Sequence, residues 1–165
     1  MPEYLPVVLH SLLICPEHVY VGHHGGPSGT EPMVERDSVE CVAGRGLVGD
    51  RYHAREKGHG KQITFFDLAV HRDLCRQFDR KPDGGTEVYR RNVVIEGVDL
   101  NDLIGQRFRI GEVRFEGVEE CRPCYWMDEA FGPGAEEAMR GRGGLRARIL
   151  ESGTLELGPQ ELHLE

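Results

Sequence analysis

The sequence lacks any apolar run approaching the ~20 residues that a spanning helix needs. Its most apolar stretch, Leu5 to Ile14, is interrupted by His10 and Ser11. A basic leader is missing too, since Glu3 stands where a signal peptide carries positive charge, and no small-residue cleavage site follows. These absences predict a soluble, cytoplasmic protein with no membrane partner. Positive charge is not in excess: 20 lysines and arginines face 28 aspartates and glutamates, a formal net charge of −8, which argues against a nucleic-acid partner. There is no internal repeat, no low-complexity tract and no linker long enough to divide the chain. The 165 residues are therefore read as one domain, 1–165, large enough to bury its own core. Cysteine is scarce and scattered. Cys15, Cys41, Cys75, Cys121 and Cys124 are an odd set that makes no secreted disulfide framework and suits a reducing compartment.

What is present is organised around Glu119-Glu120-Cys121-Arg122-Pro123-Cys124-Tyr125-Trp126. The alternating run from Val113 to Val118 before it reads as a β-strand, and Met127 to Phe131 after it reads as a short helical turn. Two thiols then sit where a strand end opens into a loop, beside the Arg122 guanidinium and a helix start. Such surroundings lower a thiol pKa and favour the nucleophilic, metal-binding thiolate. Pro123 restricts the loop and helps aim Cys124. Read alone, the spacing leaves open two packed small residues, a structural disulfide or a reactive pair. A thioredoxin-type dithiol needs a long active-site helix, which Gly132-Pro133-Gly134 stops early. A zinc site lacks a second C-x-x-C or an H-x-x-x-H.

Elsewhere the pattern is mostly strands with short helices. Residues 7–14, 39–43, 62–66 and 88–95 read as strands, the last carrying Arg90-Arg91-Asn92 ahead of an apolar run. A basic pair and an amide at a strand mouth need an anion or solvent to offset their desolvation, and pattern alone leaves both open. Asp67 is a helix N-cap for 68–78, where Val70, Leu74 and Phe78 share a face with Leu68 and Cys75, which makes Cys75 a core residue. One helical turn fits 99–104 and a short helix 135–139. Arg107 to Ile110 and Val113 to Glu116 flank Gly111-Glu112, a two-residue type II′ hairpin that pairs Phe108 with Phe115 and Arg107 with Glu116. After Gly141-Arg142-Gly143-Gly144, strands are expected at 145–150 and, last, at 154–157. The paired His23-His24 in a glycine-rich loop reads as solvated, because neighbouring side chains rarely converge on one ion. Gly44-Arg45-Gly46-Leu47-Val48-Gly49 matches G-x-G-x-x-G, but no helix follows. The glycines instead fit a turn with positive φ, with Arg45, Asp50 and Arg51 close by.

Taken in order, these pieces resemble the MOSC domain family, named after the C-terminal part of molybdenum-cofactor sulfurases, and among its members the short stand-alone bacterial ones. The matching stretches are Gly46 to Arg51, Gln62 to Phe66, Arg91-Asn92-Val93-Val94, Ile110-Gly111, the Cys121–Cys124 loop and Arg142-Gly143-Gly144. One departure is Gly158-Pro159, where many members have Gly-Asp. The resemblance implies a mainly β, MOSC-type barrel with a few short helices. It also implies the molybdenum cofactor (molybdopterin), with Cys124 as ligand to the metal and Cys121 as an accessory thiol. A soft thiolate suits such a sulfur-rich centre. The cofactor's phosphate calls for guanidiniums and backbone N–H groups, for which Arg91, Asn92 and the Gly49-Asp50-Arg51 turn are the candidates, with Arg45 and Arg122 as further cofactor-binding residues. Some relatives reduce N-hydroxylated small molecules, so the resemblance implies a reductase of such compounds that takes electrons from a partner reductase. The alternative implied role is a non-catalytic carrier that holds sulfur as a persulfide, or the cofactor itself, at the same cysteine, supplied by a sulfur-donor protein.

Overall fold

The computed structural model describes residues 4–16, 33–50, 62–123 and 125–165. Among them are β1 (Tyr4–Ile14), β2 (Val34–Arg36), β3 (Ser38–Val42), β4 (Gly46–Leu47) and β5 (Ile63–Asp67), followed by α1 (Leu68–Gln77) and β6 (Val93–Glu96). Then come β7 (Arg107–Ile110), β8 (Val113–Glu120), α2 (Trp126–Ala130), α3 (Ala135–Ala138), β9 (Leu145–Glu151), β10 (Gly153–Glu156) and β11 (Gly158–Leu164). Single 3-10 turns occupy Thr86–Tyr89 and Leu100–Leu103.

Seven strands close on themselves in the order β1, β6, β5, β9, β8, β7, β11, with β11 pairing back onto β1. Closure removes the free edges that an open sheet would leave. β2 extends from β1 outside the ring, and β10, β3 and β4 make a separate small sheet. The β7–β8 hairpin has the expected register, Phe108 opposite Phe115, Ile110 opposite Val113 and Arg107 opposite Glu116. Gly111 takes φ of +59° while Glu112 does not enter positive φ, the signature of a type II′ turn. All four apolar residues of the hairpin are fully buried and face the barrel interior with Leu9, Leu12, Ile63, Phe65, Val93, Leu145 and Leu162.

Alternation on β5 sends Phe65 into the barrel and Phe66 outward, beneath a second core. That second core joins α1, α2 and α3 through Val70, Leu74, Cys75, Met127, Phe131 and Met139, with Tyr89 stacked on Phe66 at 3.9 Å. Asp67 caps α1 as anticipated, its carboxylate accepting the Ala69 N–H at 2.9 Å. His71 is buried on the same helix. Its Nε2–H donates to the Pro82 and Gly84 carbonyls, at 3.1 and 3.0 Å, so Nδ1 accepts the Tyr89 hydroxyl at 2.7 Å. Burial raises the Tyr89 phenol well above its ordinary value and keeps it a neutral donor.

Two expectations need correction. The segment expected as strand 88–95 begins as the 3-10 turn Thr86–Tyr89, and regular strand starts only at Val93. The chain also does not end its β-structure with β10: Gly158–Leu164 forms β11, the strand that closes the barrel.

Candidate functional site

The end of the barrel where β8 stops and β9 starts carries the loop opened by Cys121. Three main-chain carbonyls around that loop converge on one side chain. Arg91 donates from Nε to Gly143 O at 3.1 Å, from Nη2 to Cys121 O at 3.1 Å and from Nη1 to Tyr89 O at 2.8 Å. The Cys121 N–H in turn donates to Gly144 O at 2.8 Å. Gly143 lies so close that an added Cβ would stand 2.3 Å from Cys121 O and 2.7 Å from Pro123 Cδ. No side chain fits there, which accounts physically for the glycine pair that opens β9. The loop is therefore held by backbone contacts on one side and a guanidinium on the other.

Asn92, next in sequence, is equally committed. Its Oδ1 accepts from Thr64 N (2.9 Å) and Thr64 Oγ1 (3.1 Å), and its Nδ2 donates to Leu13 O at 3.0 Å, tying β1, β5 and β6 together at this end. Asp50 is buried and accepts the Cys15 N–H at 2.8 Å, which fixes the end of β1. Asp50, Arg91, Asn92, Cys121 and Arg122 thus gather at one end of the barrel. Arg45 does not join them. It sits in the β3–β4 turn, where the Gly44 N–H bonds Ile149 O at 2.9 Å. Ile149 lies four residues along β9 from Leu145, about 13 Å away at the rise of a strand. The glycines of that turn, Gly44, Gly46 and Gly49, do take positive φ (74°, 127° and 88°). Arg51, Cys124 and the His23-His24 loop lie outside the described residues.

The four described cysteines fall into two kinds. Cys41 and Cys75 are buried, Cys75 with its Sγ 3.7 Å from the Lys81 carbonyl; burial, reinforced by Glu40, pushes the Cys41 thiol up to about 12, and burial also raises Cys75 against the opposing charge of Arg80. Both are inert as nucleophiles. Cys15 and Cys121 are buried as well, but each carries a guanidinium. Arg90 Nη2 donates to Cys15 Sγ at 3.3 Å. Arg146, from β9, lies against the Cys121 thiol; burial lowers its pKa, and the hydrogen-bonding contact with Cys121 and Glu119 more than offsets this. Sequence adjacency pointed to Arg122 as the partner of that thiol. In the fold Arg122 is exposed, with no hydrogen bond or ion pair among the described residues, and lines a cleft of about 290 Å³ beside Pro123.

Arg90 and Arg146 were missed as site residues. Arg90 had a signal, being half of the basic pair at the strand mouth. It holds a left-handed backbone (φ 57°, ψ 40°), unusual for a side chain of its size. Arg146 gave none, because its alternation in β9 reads as an ordinary solvent-facing position.

Comparison with known proteins fits this geometry. The MOSC domain family model matches residues 22–160. The fold is shared with the YuaD protein of Bacillus subtilis at 16% identity, TM-score 0.74, over 100% of both chains. It is shared too with YiiM of Escherichia coli (18% identity, TM-score 0.64, 98% of this chain and 70% of that one). YiiM of Geobacillus stearothermophilus gives 17% identity and TM-score 0.65, over 97% of this chain and 76% of that one. No curated protein matches the sequence. With the family model spanning nearly the whole chain and the barrel shared from end to end, the protein belongs to the MOSC domain family.

Proposed function

We propose that the protein holds the molybdenum cofactor at the thiol-loop end of the barrel, with Cys124 as protein ligand to the metal. We propose further that it reduces N-hydroxylated small molecules with electrons from a partner reductase. The family is associated with this cofactor, and the residues at this end fit it chemically. The cationic groups here are guanidiniums, matched to a phosphate-bearing pterin. When bound, the cofactor supplies a two-electron couple, enough to cleave an N–O bond with two protons and release amine and water.

The observation that carries the reading is the Arg91 clamp. Three carbonyls on one guanidinium, with Gly143 pressed on the loop, support a loop held ready to present a soft ligand rather than a flexible turn. In this reading Arg91 and Asn92 act by fixing the loop and the strand mouth, and Arg90 takes over as the candidate for the phosphate. Its left-handed backbone supports that role, since such strain concentrates where a side chain must be aimed. Cys121 is buried and so does not itself offer a sulfur to a partner; a carrier role would act through Cys124 alone.

Protein made anaerobically in a cofactor-competent host should contain molybdenum and pterin in comparable amounts. It should also reduce benzamidoxime to benzamidine with reduced methyl viologen as donor. Cys124→Ser exchanges a soft thiolate for a hard hydroxyl of similar size and should lose both the metal and the activity without loss of fold. Wild-type protein that carries neither molybdenum nor pterin, while a control cofactor protein loads in the same host, would overturn the reading.

A further inference from the structure

The cleft beside the thiol loop is lined by Glu120, Arg122, Pro123, Glu136, Arg140 and Gly141. Two of its charges are already engaged. Glu120 Oε2 accepts the Gly143 N–H at 3.1 Å, and Arg140 pairs with Glu137 at 2.6 Å on the rim. The other two are not: among the described residues neither the Arg122 guanidinium nor the Glu136 carboxylate has a hydrogen bond or ion pair, and they do not pair with each other. Opposite charges that share a concavity without meeting leave a gap between a cation and an anion. Arg72, Arg107, Arg109, Arg114 and Arg142 each meet a carboxylate instead.

We propose that this cleft is a substrate subsite for small molecules bearing a carboxylate at one end and a hydrogen-bond-donating nitrogen group at the other. The Arg122 fork takes the carboxylate and Glu136 takes the nitrogen end. A simple anion is a poorer match, because two carboxylates line the cleft along with the two guanidiniums, so a dipolar ligand meets complementary charge at both ends. The volume of about 290 Å³ sits at the small end of ligand pockets, which limits the ligand to roughly amino-acid or single-ring size. Pro123 forms part of the wall, so the ligand lies directly against the loop that ends in Cys124. As a substrate class this rests on the N–O reductase reading, with an amidoxime as the reducible nitrogen group, but binding in the cleft does not.

Two readouts separate them. The first is the ratio of kcat/KM for 4-carboxybenzamidoxime over benzamidoxime, with reduced methyl viologen as donor. It should favour the acid in the wild type and fall about tenfold in Arg122→Gln, through KM, the loss expected for one charge-assisted hydrogen bond. The second is labelling of Arg122 by phenylglyoxal, read by peptide mass. 4-Carboxybenzamidine should protect Arg122, and benzamidine should not. Protection with neither amidoxime reduced would retain the subsite and sink the reductase reading. No protection, with a ratio near one, would overturn the subsite. Loss of molybdenum and pterin from Arg122→Gln without any protection in the wild type would also overturn it, and would assign Arg122 to the cofactor's own phosphate.

Discussion

The two ends of the barrel treat arginine differently. At the β7–β8 hairpin Arg107 meets Glu116 at 3.3 Å, Arg109 meets Glu151 at 2.6 Å and Arg114 meets Glu165 at 2.6 Å. Each guanidinium there is cancelled by a carboxylate, in solvent. At the thiol-loop end Arg91 is spent on carbonyl oxygens, Arg90 reaches a thiol, Arg146 divides itself between a thiol and Glu119, and Arg122 faces a cleft. A carbonyl satisfies the hydrogen bonds of a guanidinium without removing its charge. Arg91 therefore uses its hydrogen bonds to hold the thiol loop, while Arg140, Arg142 and Arg146 at the same end still meet Glu137, Asp73 and Glu119. One end uses guanidiniums to cancel charge, the other commits one to holding a loop.

The sharpest test of this division is to damage each end and watch the other. Phe115→Ala empties a fully buried site opposite Phe108 and should cost about 3–5 kcal/mol. That corresponds to a melting temperature lower by roughly 10 °C or more. Thiol labelling of the native protein should not change, since nothing at the loop is touched. Arg91→Ala should cost less, about 2–3 kcal/mol, as water takes over part of the carbonyls' bonding. Its mark lies elsewhere: Cys121, now shielded, should react with a disulfide reagent in the native state. Arg91→Lys should not restore the shielding, because an ammonium cannot span three carbonyls in the plane of a guanidinium fork. Melting that falls with thiol labelling unchanged would erase the proposed difference between the two ends.

Much of the hairpin end was legible because its determinants are local. A glycine at the first turn position and strict alternation fix the register within ten residues. The capped helix α1 was readable for the same reason. β11 was not, although it closes the barrel. Gly158-Pro159 reads as a break, and only Leu162 of the strand is fully buried, so no apolar alternation announces it. Its partners are β1 and β7, and the pairing of Leu162 with Leu5 spans nearly the whole chain. The 3-10 turn at Thr86–Tyr89 was hidden by Val88 and Tyr89, whose strand preference yields to packing of Tyr89 against Phe66 and His71. At the site, the thiol loop and the glycine pair were visible as motifs. The partners of the arginines were not, since Arg91 reaches carbonyls 30 and 52 residues away and Arg146 reaches Cys121 from the neighbouring strand, 25 residues on.

A smaller effect should follow Gly143→Ala. The added methyl meets backbone at Cys121 and the Pro123 ring, neither of which is the flexible end of a side chain, so the loop has to move. Overpacking of this kind costs about 1–3 kcal/mol. The variant should resemble Arg91→Ala in exposing Cys121 while leaving the hairpin's hydrogen exchange unaltered.

The smallest effect belongs to the hairpin's own charges. Hydrogen bonds from Arg114 hold the Glu165 carboxyl below its ordinary value, with Arg109 and Arg107 adding to the field. The sign follows from linkage. A carboxyl whose folded pKa is depressed contributes stability above its unfolded pKa, and that contribution is lost as the pH falls through the folded value. Arg114→Ala should therefore raise the Glu165 titration, followed by carbon NMR of the side chain, toward the ordinary glutamate range, with Arg109 and Arg107 still holding it partly down. Because the pair is solvent-accessible and screened, stability at neutral pH should hardly move, and raising the salt concentration should mimic the substitution. A large loss of neutral-pH stability would mean that the hairpin arginines, too, hold structure rather than merely cancel charge, and the contrast between the two ends would fail from this side.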